Sequence, residues 1–123
     1  QANVIHMGDT YFAGMYPFID TASGGSVDGC IRAINQVLEI ANEKTVIIPG
    51  HGPISNRQEL AAYRDMLKTV TERLEILLGK NRSLEQIQAE RLTADFDDTY
   101  GAGFIKNRPF VKMLYQDLSH ANP

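Results

Sequence analysis

Two stretches of the sequence carry side chains suited to chemistry: His51 in "VIIPGHGPIS", Val46 to Ser55, and Asp9 in "VIHMGDTYF", Val4 to Phe12. Histidine titrates near neutrality and is the commonest protein metal ligand. Gly50 and Gly52 flank His51, and the lack of a Cβ on either side would let the backbone come close to an ion or a substrate. An exposed histidine in a Gly/Pro turn needs no such role, so both readings stand at this point. Asp9 follows a glycine at the end of a β-rich run, where loops carry active groups. A Gly-Asp turn with a self-capping carboxylate explains the same dipeptide. His6, on the strand beside Gly-Asp, reads as a core or second-shell histidine in preference to a direct ligand.

The elements that must position these groups follow from the pattern. "NVIHM" predicts a strand over Asn3 to Met7, with "TYF" either continuing it or opening a hairpin. Ser26 is a helix N-cap, and Val27, Ile31, Ile34, Leu38 and Ala41 mark one face of a helix running to about Asn42. "KTVII" predicts a buried strand, so strand-helix-strand is the first unit. Asn56 and Glu59 have capping-box spacing, and Leu60, Tyr63, Leu67, Val70, Leu74 and Leu77 stripe a long helix that Gly79 should stop. Ser83 and Gln86 restart a short helix; "TADFDDTYGAGF" reads as an irregular link, and Pro109 suits the first turn of a last helix bearing Phe110, Val111, Leu114, Tyr115 and Leu118. The expected class is α/β: a small sheet covered by helices with a helical C-terminal tail.

Composition narrows the partners. A chain of 123 residues fits one domain that can bury roughly two thirds of its unfolded surface. The formal charge of -3 provides no broad basic field for nucleic acid. Cys30 is the only cysteine, which excludes an internal disulfide and a cysteine-rich zinc cluster, and on its helix it reads as a structural thiol. No apolar run approaches the roughly 20 residues of a membrane span. The chain opens "QANVIHMGD", already in a strand and without an initiator methionine, so further sequence is expected upstream. Localisation stays open: a signal peptide upstream would make the protein periplasmic, and its lack cytoplasmic.

"VIHMGDTYF" followed by "TVIIPGHGP" resembles the C-terminal half of the metallo-β-lactamase fold, the superfamily that includes glyoxalase II. Its pattern there is a strand ending in Gly-Asp and a later strand ending in Gly-His-Gly. The resemblance covers about residues 3 to 67; "GMYPFIDTASGGSVDG" and "TADFDDTYGAGFIKN" are similar to a subgroup of periplasmic or poorly characterised members. It implies half of an αβ/βα sandwich over residues 1–79, with residues 80–123 as a helical extension packed on it. It implies a metal-dependent hydrolase with two divalent ions, zinc by first expectation, for which Asp9 and His51 are ligands and Tyr16 and Asp20 lie in a loop that contacts a small-molecule substrate. In such a centre a metal-bound hydroxide attacks a carbonyl or phosphoryl carbon or phosphorus.

The sequence departs from that family in one decisive respect. The His-x-His-x-Asp-His motif that supplies most of the family's metal ligands is missing, and the only histidines besides His51 are His6 and His120. A catalytic zinc takes about three protein ligands. The expectation is therefore a fragment, inactive alone, that binds metal weakly or not at all and self-associates through an apolar face left uncovered. The alternative is a self-sufficient protein-binding or assembly module without catalysis. Among lesser features, "SGGS" before a helix could seat an anion but is explained by helix entry alone, "GAG" at 101–103 is expected to be linker, and Asp97 and Asp98 are expected to be solvated.

Overall fold

The structure, a computed structural model, describes residues 3–121, with side chains described to Ser119. It is a mixed α/β fold. In chain order the elements are β1 (Val4–Phe12), a 3-10 turn (Thr21–Ser23), α1 (Val27–Ile40), β2 (Val46–His51), α2 (Arg57–Gly79), α3 (Leu84–Ala89), α4 (Asp97–Tyr100) and α5 (Asn107–Ala121). The two strands pair in parallel, in the register Val4 with Val46, Ile5 with Ile47 and His6 with Ile48, and the register shifts on either side of Gly8. A parallel pair needs a crossover connection, and α1 provides it.

Local chemistry sets the helix ends. The Ser26 side chain accepts from the Gly29 amide, and the amide of Val27 donates to the Asp117 carboxylate of α5 at 2.7 Å. The anion at the α1 N-terminus is thus one of the chain's own side chains. Asn56 caps α2 by accepting from Glu59 N, whereas the Glu59 carboxylate takes a hydrogen bond from Ser55 Oγ at 2.9 Å instead of closing a capping box. Ser83 and Gln86 do form the reciprocal box. The stop of α2 differs from expectation: Gly79 is still helical, and Asn81 at φ 59° makes the left-handed turn. Asparagine tolerates that conformation because its short polar side chain can bond locally.

The long helix α2 is the centre of the core. Leu60, Tyr63, Met66, Leu67, Val70 and Leu74 are all buried, so the expected stripe faces the core, with Leu77 partly buried at its end. Val27, Ile34 and Leu38 of α1, Ile87 of α3, and Phe110, Val111 and Leu114 of α5 join it. Met7 and Ile47 face this core from the sheet, while Val4, His6 and Val46 on the opposite face are exposed. Helices therefore cover one side of the sheet. The other side carries no layer among the described residues.

The loop after β1 and the C-terminal region are tied together by one polar hub. Tyr16 is fully buried and stacks on Phe110 with ring centroids 4.5 Å apart. Its hydroxyl donates to Asp97 Oδ1 at 2.6 Å, and Thr93 Oγ1 and Asn107 Nδ2 donate to the same carboxylate, each at 2.9 Å. Asp97 is thus not a solvated linker residue as the composition of its segment suggests. Burial alone would raise its carboxyl, but the hydrogen bonds from Tyr16, Asn107 and Thr93 outweigh burial and hold it below the usual carboxylate range.

Two outcomes follow for stability. Asp97→Ala leaves the buried Tyr16 hydroxyl without its short partner and should cost about 2 kcal/mol in urea unfolding, while the exposed neighbour Asp98→Ala should change little. Because the folded carboxyl titrates below its unfolded value, its contribution is fully present above about pH 4 and is lost as pH falls through the folded value. Acid titration of stability should therefore be shallower in Asp97→Ala than in the unaltered chain.

Candidate functional site

β1 runs on through Asp9 to Phe12 instead of ending at Met7 as the sequence suggested, and β2 ends at His51 beside it, so Asp9 and His51 come together near the ends of the two strands. His51 Nε2 lies 3.2 Å from Asp9 Oδ1, with 44% of the histidine side chain and 84% of the aspartate side chain exposed. Ligand sites of parallel sheets form at the carboxyl ends of the strands, which is where this pair stands. Both groups face solvent at a place an incoming ion or molecule can reach.

The sequence produces this approach through glycine, by a route other than the one the spacing suggested. A Cβ on Gly50 would lie 2.4 Å from the Gly8 carbonyl oxygen and 2.8 Å from the Asp9 amide nitrogen. Gly52, at φ +97°, would bring one within 2.4 Å of the Ala13 carbonyl oxygen. The glycines flanking His51 thus allow close approach of the chain's own β1 backbone. The amide of Ala13 then donates to the His51 carbonyl at 2.9 Å, which fixes the histidine backbone between two clamped neighbours.

Two aromatic rings lie against the imidazole. Phe12, itself buried, stacks on it with centroids 4.5 Å apart and planes 10° from parallel, and Phe104 crosses it at 5.5 Å and 62°. Neither phenylalanine stood out in the sequence. The signal for Phe12 was its place at the end of the strand that carries Asp9; Phe104 follows "GAG", which read as linker.

The remaining site residues are placed differently. Tyr16 is consumed by the core and the Asp97 hub, so it lies beneath the surface instead of on a substrate-contacting loop. Asp20 is exposed, accepts from the Ser23 amide as the cap of the 3-10 turn, and shares with Asp9 the rim of a groove of about 480 Å³ that also includes Phe18, Ser26 and Arg32. His6 points from the uncovered face of the sheet and is exposed. The His120 side chain lies outside the described residues. Cys30 is half-buried, donates its thiol to the Thr10 carbonyl at 3.4 Å, and is pushed up to about 11 by burial, which favours the protonated thiol at neutral pH and fits a structural role.

Comparison with known proteins adds no family. No family model matches this chain, and no curated protein matches it.

A metal is tested here by the donors themselves. An imidazole nitrogen and a carboxylate oxygen suit zinc, iron or manganese. Yet among the described residues no three His, Cys, Asp or Glu side chains converge, and a zinc site takes at least three protein ligands. The donor types fit and their number does not.

The glycine clamp is directly testable. Gly50→Ala forces a methyl into backbone and should cost about 3 kcal/mol or more. At Gly79 an added Cβ meets nothing within 4 Å, and Gly79→Ala should be neutral or stabilise by up to about 1 kcal/mol. Urea unfolding of the two variants reads the difference.

Proposed function

We propose that this chain is the C-terminal part of a metal-dependent hydrolase of the metallo-β-lactamase fold, and that it contributes Asp9 and His51 to a centre whose other ligands lie outside its 123 residues. The single observation that carries the reading is the pairing of Asp9 with His51 at 3.2 Å, both exposed, where Asp9 near the end of β1 meets His51 at the end of the adjacent parallel strand. The bare face of the sheet supports it. Purely parallel sheets are ordinarily covered on both faces, and Val4 and Val46 pair across the strands with 39% and 38% exposure. In the proposed sandwich that face is where the remaining sheet packs.

The chain's own part in such a centre is electrostatic and positional. Asp9 offers carboxylate oxygens and His51 an imidazole nitrogen on a ring stacked against Phe12. No reaction step is assigned to these two residues alone, because two donors do not complete a metal site. Zinc, supplied with its full ligand set, would provide an activated water for attack on an ester-like or phosphoryl substrate. The lack of a basic surface disfavours a nuclease.

The test is made in a longer natural chain that includes sequence upstream of Gln1. Its hydrolase activity, screened over thioester, lactone, lactam and phosphodiester substrates, should fall at least about 100-fold in Asp9→Asn and in His51→Ala, with the fold retained by circular dichroism. The 123-residue chain itself should show no hydrolysis. Efficient hydrolysis by that chain, or full activity in both variants of the longer one, would rule the proposal out.

A further inference from the structure

We infer that Phe104 is a positioning residue for His51: together with Phe12 it holds the imidazole in the plane that turns Nε2 toward Asp9. The inference rests on the reading of Asp9 and His51 as a functional pair, and it extends that site to the segment between α4 and α5.

Phe104 is 59% exposed, so it is not held where it is by full burial. Singly exposed hydrophobic residues are common on protein surfaces, but this one touches both members of an aromatic stack. Its ring lies 5.5 Å from His51 at 62° and 5.9 Å from Phe12 at 55°. Stacking on Phe12 holds one face of the imidazole. A second ring crossing at a steep angle hinders the swing about the Cβ–Cγ bond that would carry Nε2 away, and the 3.2 Å contact with Asp9 Oδ1 requires one orientation.

The segment that carries Phe104 is anchored from both sides. Tyr100 is buried in the core, and its carbonyl accepts from the Tyr16 amide at 3.0 Å. Gly103 packs so closely on Met15 that a Cβ there would lie 2.6 Å from the Met15 Cβ. The Tyr16–Asp97 hub closes the same junction at 2.6 Å. Buried contacts thus place a ring that is itself largely in solvent beside His51, which pairs with Asp9.

The experiment uses NMR of the 123-residue chain at one fixed pH without metal, reading nuclear Overhauser contacts from the His51 ring protons to Phe12 and Asp9 and the upfield shift that stacking gives those protons. Phe104→Ala should lose the His51–Asp9 contacts and part of the upfield shift while the urea midpoint stays close to that of the unaltered chain. Phe104→Tyr, which keeps the ring, should restore both, and Ile76→Ala, an exposed apolar residue of α2, should leave both intact. Unchanged His51 contacts in Phe104→Ala would overturn the inference, and so would its unfolding, which would assign the ring to the core. Because the readout needs no metal and no substrate, it stands or fails separately from the hydrolase reading.

Discussion

The close approach of two backbones, Gly8 against Gly50, is the constraint on which the rest of the structure depends. A side chain at Gly50 would overlap the Gly8 carbonyl, so the ends of β1 and β2 can lie together only with glycine there. That proximity lets the register shift past Gly8, pairs Phe12 with His51, and leaves Asp9 and His51 within 3.2 Å. A requirement of packing and the geometry of a candidate site are thus met by the same residue. Dispensability of Gly50 for folding would remove the structural reason for the pair.

Around this clamp the molecule is built in two unequal ways. Toward the helices, α2 lies in a continuous apolar core reinforced by short polar links, such as the Tyr11 hydroxyl against Ser55 Oγ at 2.7 Å, with Ser55 in turn bonded to Glu59. Since Ser55 donates its one proton to Glu59, Tyr11 must donate to Ser55, and burial pushes that phenol up to about 12, keeping it a donor at neutral pH. Away from the helices, the sheet presents Val4, His6 and Val46 to solvent. The apolar surface left open among the described residues therefore lies on the sheet and not on α2, whose stripe is mostly buried.

Much of this was legible in the sequence, and the limits have physical causes. Strand-helix-strand order, the N-caps Ser26, Asn56 and Ser83, and the long α2 stripe follow from periodicity and capping chemistry, which are local. The Asp9–His51 pairing was anticipated only through the family resemblance carried by the Gly-Asp and Gly-His-Gly motifs; the residues alone left both open to ordinary turn roles. The role of the glycines could not be anticipated, because contact between Gly50 and Gly8 depends on tertiary approach. The same holds for Tyr16 and Asp97, whose spacing says nothing of a 2.6 Å hydrogen bond, and for the stop at Asn81, since glycine is the stronger expectation for a left-handed turn. Phe104 was hidden for a similar reason: a ring after a glycine-rich link carries no local signal of what it will touch.

The central claim is that this chain holds two ligands of a metal centre completed elsewhere. Zinc titration of the purified 123-residue chain by calorimetry, with native mass spectrometry on the same sample, tests it most directly. The account predicts no stoichiometric zinc at neutral pH in the monomer and at most weak binding that disappears in His51→Ala. A tight, stoichiometric zinc in the monomer would contradict it, because Asp9 and His51 alone cannot supply the ligands such a site requires.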